Sequence, residues 1–473
     1  MKPLTADVAV IGGGPAGSVF ATRMAALGFD VCLIERARFP RPHLGESLSP
    51  GVLPMLASAG LAGAVERAGF RRVFEVRSNW EGTEAVRLDA RGEGLLVDRA
   101  AFDAALLAAA TAAGVRLLQP ALARVQARTP EGWQLLVERD GQTSALRAGF
   151  LADASGRAAR LGGVRRAMGP RTIALHGYWT GPRLPAQPRI EAGAGAWYWG
   201  VPLPGGSYNT LVFVDAARLR GEGRRALERR LREWLRPSAL LRDVEGATLL
   251  GGVRATDATP YLYSDCVGAR HVRLGDAALA LDPLSSSGVQ KAVQTALSAA
   301  IVANTLLRRP AAGAAAQRYY EDNLAEAATR HRAWASGHYA TAAAHHQGAF
   351  WTARAAASSE ERPASPVRSP RAVADDVPLR LSPDCQWEAH PCLGAQYVEV
   401  KPALRHPAVD GPVAYLGGHE LAPLLDVVRA GMTSHQLAGA WSAALPFDKG
   451  LSIARWLAAR GVLERDDARL AAQ

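Results

Sequence analysis

Residues 7–35 read DVAVIGGGPAGSVFATRMAALGFDVCLIE, and this stretch decides the fold. Its first part, Asp7–Gly12, is short, apolar and bounded by glycine, which predicts a buried parallel strand. Pro15–Leu27 has helical spacing, and Val31–Glu35 predicts the next buried strand. Strand, glycine turn, helix and strand within about 30 residues form a βαβ unit, whose crossover is right-handed. The sequence therefore predicts an α/β fold.

The turn between the first strand and the helix carries a GxGxxG pattern, Gly12–Gly17. Gly12 allows the tight turn, Gly14 lets backbone approach a pyrophosphate, and Gly17 allows the helix to pack closely on the strand. The helix N-terminus offers amide donors and positive charge to phosphates. Glu35 can accept hydrogen bonds from ribose hydroxyls. We therefore predict a Rossmann-like dinucleotide site with contacts from Gly12, Gly14, Pro15, Ala16, Gly17, Glu35 and Arg36.

Length and composition narrow the class of protein. The chain has 473 residues, enough for two to four domains, and 48% hydrophobic with 21% charged residues excludes global disorder. The net charge of +11 suits an acidic partner, a nucleic acid or a membrane surface. The only lysines are Lys2, Lys291, Lys401 and Lys449, so the other 51 basic residues are arginine, and these are spread along the chain. Because no basic block is interleaved with aromatic residues, nucleic-acid binding is not expected.

Cysteine usage and hydropathy point to an intracellular enzyme. The four cysteines are Cys32, Cys266, Cys385 and Cys392, which are too scattered for a disulfide scaffold and include no CxxC pair for a zinc site. The N-terminus runs directly into a strand without a signal peptide, and no stretch of 18 or more residues is free of polar interruption. We expect a cytoplasmic protein with no transmembrane segment and no metal site.

The pattern along the chain predicts several domains. The region near 171–264 alternates aromatic and aliphatic segments cut by proline and glycine, as in an antiparallel sheet, and residues 358–382 have the composition of a linker. We predict a discontinuous dinucleotide-binding domain from residues 1–170 and 265–315, a mixed-sheet substrate domain at 171–264, a helical segment at 316–357, a linker at 358–382, and a small helical, winged-helix-like domain at 383–473.

Several segments resemble the FAD-binding family that contains aromatic hydroxylases, geranylgeranyl reductases and flavin-dependent halogenases. They are Val97–Asp103, Asp153–Arg157, Gly275–Ala278, Asp282–Val289 and the His43–Leu48 segment, which matches an HxGES pattern. The resemblance implies a class A flavoprotein monooxygenase-like fold with FAD as cofactor. It implies that Asp276 contacts the ribityl chain and that the following turn lies beside the isoalloxazine. The further cofactor contacts implied are Ser47, Arg99, Pro283, Ser287, Gly288 and Val289.

Trp197–Pro202, WYWGVP, resembles the WxWxIP signature of flavin-dependent halogenases, with valine in place of isoleucine. The resemblance implies that Trp197 and Trp199 line the substrate side. Halogenases of this kind also use a lysine some tens of residues after the GES segment, and none is present here. Arg71, Arg72 and Arg77 occupy that region, and a guanidinium, always charged, cannot replace the amine. The resemblance without this lysine favours hydroxylation over halogenation.

The implied reaction is hydroxylation of an electron-rich aromatic group through a flavin hydroperoxide, with O₂ as co-substrate. His43 and Glu46 are the nearest polar candidates for a catalytic role. No second nucleotide fingerprint is present, so NAD(P)H must reduce the flavin transiently or through a separate flavin reductase. The extra C-terminal domain makes the chain similar to flavoproteins that hydroxylate a peptidyl tryptophan during tryptophylquinone cofactor biogenesis. Their substrate is a tryptophan in a small partner protein.

Three other functions remain open from the sequence. A small-molecule aromatic hydroxylase or halogenase would act on a soluble indole or phenol. A geranylgeranyl reductase-like flavoprotein would reduce prenyl double bonds without oxygen. A flavoprotein without enzymatic activity would only bind its partner.

Overall fold

The computed structural model describes residues 4–88, 92–221, 223–356 and 373–466. The chain divides into two compact units, Met1–Glu360 and Glu361–Gln473. The first unit contains the predicted nucleotide-binding and substrate regions, and the second contains the C-terminal extension.

The first unit contains eight helices among its described residues. They are α1 Pro15–Ala26, α2 Val52–Ser58, α3 Ala62–Glu66, α4 Arg99–Ala112, α5 Arg224–Leu235, α6 Gly288–Arg308, α7 Gly313–Ala343 and α8 Ala349–Ala355. The second unit contains α9 Leu421–Asp426, α10 Ser434–Ala440 and α11 Phe447–Ala459.

Strands of the first unit form the nucleotide-binding sheet, the substrate sheet and smaller sheets between them. They are β1 Leu4–Ile11, β2 Val31–Ile34, β3 Ser47–Leu48, β4 Arg71–Val73, β5 Glu75–Asn79, β6 Ala85–Leu88, β7 Gly94–Leu96, β8 Arg116–Leu118, β9 Leu122–Thr129, β10 Gly132–Arg139, β11 Gln142–Asp153, β12 Arg165–Ala167, β13 Thr172–Thr180, β14 Arg189–Gly193, β15 Ala196–Pro202, β16 Tyr208–Asp215, β17 Thr248–Asp257, β18 Tyr261–Tyr263, β19 Val267–Gly268, β20 His271–Arg273 and β21 Leu279–Ala280. The second unit contains β22 Leu379–Leu381, β23 Gln386–Leu393, β24 Val398–Arg405, β25 Tyr415–Leu416, β26 His419–Glu420 and β27 Leu463–Arg465.

The nucleotide-binding sheet confirms the predicted βαβ unit. Its strand order is β19-β20-β11-β1-β2-β8, and β1 runs parallel to both β2 and β11. The pair β10 and β9 continues from β11 as antiparallel strands. Val8–Ile11 and Val31–Ile34 are buried throughout, as expected of strands covered on both faces. Helix α1 packs against α4 and α6 over this sheet.

The glycine turn requires its glycines for two different reasons. Gly12 has φ +105°, a backbone conformation that side chains disfavour. A Cβ atom at Gly17 would lie 1.9 Å from the carbonyl oxygen of Gly12. The N-terminal turn of α1 therefore rests directly on the end of β1, and only glycine permits that approach.

A second, larger mixed sheet forms the substrate side. Its order is β17-β13-β16-β15-β14-β5-β6, with β14 and β5 parallel and the other pairs antiparallel. The antiparallel character predicted for 171–264 is seen, but β5 and β6 come from residues 75–88, inside the range assigned to the FAD-binding domain. These strands are short and mostly polar or exposed, so the local sequence has no burial pattern that reveals their long-range pairing.

The two faces of this sheet pack on different helices. Tyr198 belongs to the same buried cluster as Leu231 and Leu235 of α5. Trp197 faces the other way and joins a cluster with Tyr339 of α7 and Trp351 of α8. The predicted helical segment 316–357 thus begins slightly earlier, at Gly313, and covers the substrate sheet.

The C-terminal unit, predicted as a small helical domain, contains helices α9, α10 and α11 around one apolar core. Leu379, Leu404, Leu437 and Leu457 are fully buried in it. The predicted linker, 358–382, extends too far, because β22 lies within it and pairs antiparallel with β27. The hairpin β23–β24 was not predicted, and its strands are only partly buried. Residues 357–372 lie outside the described part of the chain.

Within the described residues, no helix combines the length and apolar character needed to cross a bilayer.

The first prediction concerns the contact between α1 and β1. Replacing Gly17 with alanine places a methyl group on the Gly12 carbonyl, and we expect a loss of unfolding free energy of about 3 kcal/mol or more. Thermal unfolding followed by circular dichroism measures this. Gly337 of α7 is the matched control, because a Cβ there meets no atom within 4 Å. Gly337→Ala should raise stability by about 0.5–1 kcal/mol, and equal melting temperatures for the two variants would contradict the interpretation.

Candidate active site

One cavity of about 650 Å³ runs through the first unit from the glycine turn to the substrate sheet. Its volume is within the usual range for cofactor and ligand sites. Of the residues predicted from the sequence, those that line it are Gly12, Gly14, Pro15, Ala16, Glu35, Arg36, His43, Glu46, Ser47, Arg99, Trp197, Trp199, Asp276, Pro283, Gly288 and Val289.

Two predicted cofactor contacts do not line the cavity. Gly17 lies against the Gly12 carbonyl, so its role is to allow packing of α1 and not to contact a ligand. Ser287 is the N-cap residue of α6, and its hydroxyl donates to the carbonyl oxygen of Ser285 at 3.1 Å. Ser286, which has φ +51°, turns the chain so that Ser286 and Gly288 line the cavity and Ser287 does not.

Glu35 shapes the glycine turn. One carboxylate oxygen accepts a hydrogen bond from the backbone N–H of Gly13 at 2.7 Å, and the other accepts from Ala37 at 2.8 Å. The side chain is buried at the end of β2 and still borders the cavity. Glu35 therefore fixes the backbone that would receive a pyrophosphate, in addition to the predicted position near a ribose.

Arg99 connects α4 to the HxGES segment. Its guanidinium is bonded to both oxygens of Asp103, one turn later in α4, and it donates to the carbonyl oxygen of Leu44 at 2.6 Å. Asp103 is fully buried and also lies 3.7 Å from Arg41, whose side chain borders the cavity. The charge of Arg99 is thus paired within the protein, and Arg99 holds residues 44–46 in position.

Asp276 and Lys291 form an ion pair beside the cavity, in which Lys291 is buried and Asp276 is partly exposed. The Lys291 ammonium lies 2.6 Å from Oδ1 of Asp276 and also donates to the carbonyl oxygen of Leu279. Arg157 approaches the other carboxylate oxygen at 3.8 Å. Burial opposes ionisation of Asp276, but the charges of Lys291 and Arg157 outweigh it and hold its pKa below the usual value. Burial lowers the pKa of Lys291, against the attraction of Asp276.

Glu46 connects the HxGES segment to the substrate sheet. Its Oε1 accepts hydrogen bonds from the hydroxyl of Tyr178 on β13 at 2.8 Å and from the amide of Asn209 on β16 at 3.0 Å. Its Oε2 accepts from the backbone N–H of Gly45. Burial raises the pKa of Glu46, and the hydrogen bonds from Tyr178 and Gly45 only partly offset this.

His43 borders the cavity near the Asp276 end. Its Nδ1 lies 2.9 Å from the carbonyl oxygen of Leu44, and because a carbonyl can only accept, Nδ1 carries the proton. Burial and the charge of Arg99 lower the pKa of His43, which favours the neutral ring. Nε2 is then a proton acceptor that the cavity can reach.

Aromatic and aliphatic side chains form the substrate end of the cavity. Trp197 stacks on Phe213 with ring centroids 3.7 Å apart and an interplanar angle of 8°. Behind it, Trp80 packs edge-on against Trp351 of α8, whose indole N–H donates to the carbonyl oxygen of Gly193 at 3.0 Å. Trp199 is half-buried and also faces the cavity. This wall can hold a flat aromatic ring and exclude water.

The arginines that follow the GES segment lie elsewhere. Arg77 pairs with Glu84 and Arg72 pairs with Glu93, both at exposed positions. Arg71 is exposed on β4. Among the described residues, none of these three arginines and no lysine lines the cavity.

Sequence reasoning missed several residues of the site. Tyr178 and Asn209 were not singled out, although both lie on strands of the predicted substrate domain. Asp282 was quoted within a motif but given no role, and it borders the cavity. Lys291 was noted only as the next lysine after Lys2, and its helical spacing from the Gly288 turn was the signal that could have placed it near Asp276.

The residues present fit FAD. Nothing lies closer than 3.7 Å to a Cβ built on Gly14, so backbone can approach a pyrophosphate there. The first turn of α1 offers its amides at that point. The cavity then continues to Asp276 and the N-terminus of α6, a length suited to an extended dinucleotide. Among the described residues, no cluster of histidine, cysteine and carboxylate side chains is arranged to hold a metal ion.

Two family models match the chain. Residues 87–379 match the tryptophan halogenase family, and residues 10–47 match an NAD(P)-binding Rossmann-like domain. The first match covers more than half of the chain and includes strands β13–β17 of the substrate sheet and helix α6.

Individual proteins show similarity over different shares of the chain. A tryptophan 2-halogenase from Chondromyces crocatus is 32% identical over 341 residues, which is 67% of this chain and 65% of that protein. The structure of QhpG, a peptidyl tryptophan dihydroxylase essential for tryptophylquinone cofactor biogenesis, superposes with a TM-score of 0.71 at 28% identity, covering 97% of this chain and 99% of that one. The flavin-dependent halogenase CmlS has a TM-score of 0.77 at 22% identity, covering 97% and 96%; it therefore supports the fold. The match with the tryptophan 2-halogenase spans slightly less than two thirds of that relative's length.

The second prediction concerns the Lys291–Asp276 ion pair. Lys291→Met leaves Asp276 without its nearest positive charge. Since Asp276 is 38% exposed and Arg157 remains close, we expect a loss of about 1–3 kcal/mol, together with weaker FAD binding. Thermal unfolding and flavin fluorescence titration measure the two effects.

Lys401→Met is the control for this prediction. Lys401 pairs with Glu399 and Glu420 in the C-terminal unit but is more exposed. We expect less than about 1 kcal/mol of destabilisation there. Equal losses for the two lysine variants would show that burial of the Lys291–Asp276 pair has no energetic consequence.

The third prediction concerns the pH dependence of stability at Glu46. Because burial raises the pKa of Glu46 above its ordinary 4.5, its stabilising contribution is full below that pH and is lost as pH rises through the raised value. Glu46→Gln stays uncharged. Wild type should therefore lose stability relative to Glu46→Gln between pH 4.5 and neutrality, as followed by urea unfolding. Glu131→Gln, at an exposed position in the turn between β9 and β10, should run parallel to wild type, and a pH-independent gap for Glu46→Gln would contradict the prediction.

Proposed function

Since the chain belongs to the tryptophan halogenase family, we propose that it is an FAD-dependent monooxygenase that hydroxylates a tryptophan side chain in a small partner protein. The FAD-binding residues and the family assignment support a flavin-dependent oxidoreductase. The choice of hydroxylation and of a peptidyl substrate goes further, and it depends on the chemistry of the cavity.

The observation that carries the proposal is a substrate wall of aromatic residues with no lysine among the described lining residues. Trp197, Trp199 and Phe213 offer flat apolar surfaces suited to an indole ring. The family resemblance implies that halogenation depends on an amine beside this aromatic space, whereas the Lys291 amine does not line the cavity and is bonded to Asp276 and to the carbonyl oxygen of Leu279. The arginines that line the cavity cannot serve, because a guanidinium stays protonated and cannot form a haloamine. Direct oxygen transfer does not require that group.

The residues of the chain would position the cofactor, exclude water and orient the substrate. When bound and reduced, FAD supplies the activation of O₂. Gly14 and the first turn of α1 would hold the phosphates, and Asp276, kept ionised by Lys291, would face the ribityl end. The stacked Trp197 and Phe213 exclude water from the substrate end. Glu46 keeps the segment next to the cofactor at a constant distance from the substrate sheet.

Similarity to QhpG supports a peptidyl substrate. That protein's name assigns it a tryptophan within a peptide, and its similarity to this chain extends over 97% of the residues, including the C-terminal unit. We therefore propose a small tryptophan-bearing protein as substrate, modified in the cytoplasm, with NAD(P)H supplying electrons directly or through a flavin reductase. The net charge of +11 would help to attract an acidic partner.

A small-molecule halogenase is the second candidate. The tryptophan 2-halogenase relative and the shared fold of CmlS favour it. A hydroxylase of free indoles or phenols shares the transferred oxygen atom with the proposed function and the small-molecule substrate with the halogenase. The three functions differ in substrate and in the atom transferred, so one assay separates them.

The fourth prediction is the product of that assay. Holoenzyme with FAD, NADH, a flavin reductase and ¹⁸O₂ is incubated with free L-tryptophan, with sodium bromide plus L-tryptophan, or with a pool of synthetic peptides that have a central tryptophan. We expect one or two labelled oxygen atoms on the peptides by mass spectrometry and no brominated product. A matched pool with phenylalanine in place of tryptophan should stay unchanged.

Two outcomes would overturn the proposal. Bromine incorporation would show that the protein is a halogenase. Oxygen incorporation only into free tryptophan would show that it is a small-molecule hydroxylase. Trp199→Ala provides a variant control. Because it opens the cavity wall, it should raise hydrogen peroxide release relative to oxygenated product, whereas Trp387→Ala, an exposed position in the C-terminal unit, should leave that ratio unchanged.

A further inference from the structure

Asp282 borders two cavities at once. It lies in the loop between β21 and α6 and lines the large cavity described above. A second cavity of about 30 Å³, the space of roughly one water molecule, is lined by Asp282, His331, Arg332, Ser336, Tyr339 and Arg354 among others. Asp282 is the residue shared by the described linings of both. A carboxyl group thus stands between the substrate space and a small polar pocket.

The hydrogen bonds of Asp282 suit a group that changes protonation. Its two carboxylate oxygens lie 3.0 and 3.1 Å from the hydroxyl of Tyr339 on α7, and Oδ1 also accepts from the backbone N–H of Leu284. A tyrosine hydroxyl can donate to an ionised carboxylate and accept from a protonated one. The contact between Asp282 and Tyr339 therefore persists in both states.

The charges around Asp282 do not fix it in the ionised form. Arg354 is the nearest strong positive group, but its guanidinium is already bonded to Asp215 at 2.8 Å and to Thr172 at 2.7 Å. Tyr339, His331 and Arg332 are the other titratable side chains around the small cavity. Burial raises the pKa of Asp282, and the bonds from Leu284 and Tyr339 only partly offset it. The carboxyl can therefore take up and release a proton closer to neutral pH than an exposed aspartate.

His331 lines the small cavity on its outer side. Its Nε2 lies 3.1 Å from the carbonyl oxygen of Asp282, and since a carbonyl only accepts, Nε2 carries the proton. Burial lowers the pKa of His331 to about 4, so the ring is neutral and its Nδ1 is an acceptor. The ring stacks on Trp334, whose side chain is 43% exposed. The small cavity thus ends at a partly buried histidine next to the surface.

We propose that Asp282 is a catalytic base that accepts the ring proton of the substrate and releases it through its contact with Tyr339 into the small cavity. This rests on the proposed hydroxylation. Hydroxylation forms a C–O bond at a ring carbon that also carries hydrogen. When that C–H bond breaks, its electron pair returns to the aromatic ring and the hydrogen leaves as a proton to the Asp282 carboxylate. Asp282 is neither oxidised nor reduced: O₂ supplies the inserted oxygen atom, and two electrons from the reduced cofactor, with protons, convert the other oxygen atom to water.

Other polar groups of the large cavity are less suited to this step. Both oxygens of Glu46 are engaged by Tyr178, Asn209 and Gly45, and Glu46 does not line the small cavity. His43 also has no place in the lining of that second cavity. Asp282 is therefore the carboxyl with a described route away from the substrate.

Asp282→Asn tests the proposal with little change in shape. The amide oxygen can still accept from Leu284, but the side chain cannot take up a proton. We expect product formation on the tryptophan peptides to fall by about a hundredfold or more. Ring-deuterated tryptophan should react at the same rate as the unlabelled form in wild type. In Asp282→Asn it should react more slowly, because loss of the ring proton becomes the slow step. A purely structural defect would lower the rate without this isotope effect.

Tyr339→Phe and Asp243→Asn complete the set. Tyr339→Phe removes the connection to the small cavity and should show the same isotope effect with a smaller loss of rate, which keeps the proposal testable if Asp282→Asn binds FAD poorly. Asp243→Asn changes an exposed carboxyl far from both linings and should match wild type. An Asp282→Asn enzyme with wild-type rates and no isotope effect would overturn the proposal.

An infrared titration separates this proposal from the proposed function. The difference spectrum of wild type minus Asp282→Asn should contain a carboxylic acid C=O band that disappears as pH rises through a midpoint above the ordinary aspartate range. The band should move in Tyr339→Phe. If wild type oxygenates none of the tryptophan probes, the proposed function fails. The absence of the titrating band would independently overturn the role of Asp282.

Discussion

The first unit depends on the approach of α1 to the end of β1 at Gly17. With hydrogen as its side chain, Gly17 lets the helix start directly above the Gly12 carbonyl, so the amides of the first turn point into the cavity. Glu35 then fixes the same turn from β2 through the N–H of Gly13. The phosphate-binding end is therefore preorganised by backbone packing, and later parts of the cavity are built outward from it.

Glu46 is the corresponding connection at the substrate end. It lies just before β3, yet its carboxylate receives hydrogen bonds from Tyr178 and Asn209 on two strands of the other large sheet. A buried carboxylate with three donors resists displacement, because breaking any bond leaves a polar group unsatisfied. The distance between the cofactor segment and the aromatic wall is set by this one side chain.

The sequence predicted those elements whose burial pattern or turn residues lie within the element itself. The βαβ unit and the aromatic segment Trp197–Pro202 both have a clear burial pattern or a turn signal. Pairing of β5 with β14 could not be predicted, since short polar strands acquire their partners only through long-range contacts. The same limit hid the bonds of Glu46 and the position of Asp282, whose partner Tyr339 is 57 residues away. Ser287 does not line the cavity, because a single αL residue, Ser286, precedes it and turns the chain, which local sequence could not reveal.

The two walls of the cavity come from separate parts of the chain, and this has an evolutionary consequence. The wall around the dinucleotide is backbone-rich and close-packed, so substitutions there are costly whatever the substrate. The opposite wall is made of side chains from β15 and β16, and α7 and α8 support it from outside through Tyr339 and Trp351. Changes in those two helices can reshape the space offered to a substrate while the glycine turn stays intact. Divergence within this architecture can therefore accumulate on the supporting helices, which lets one oxidising centre be matched to new aromatic compounds.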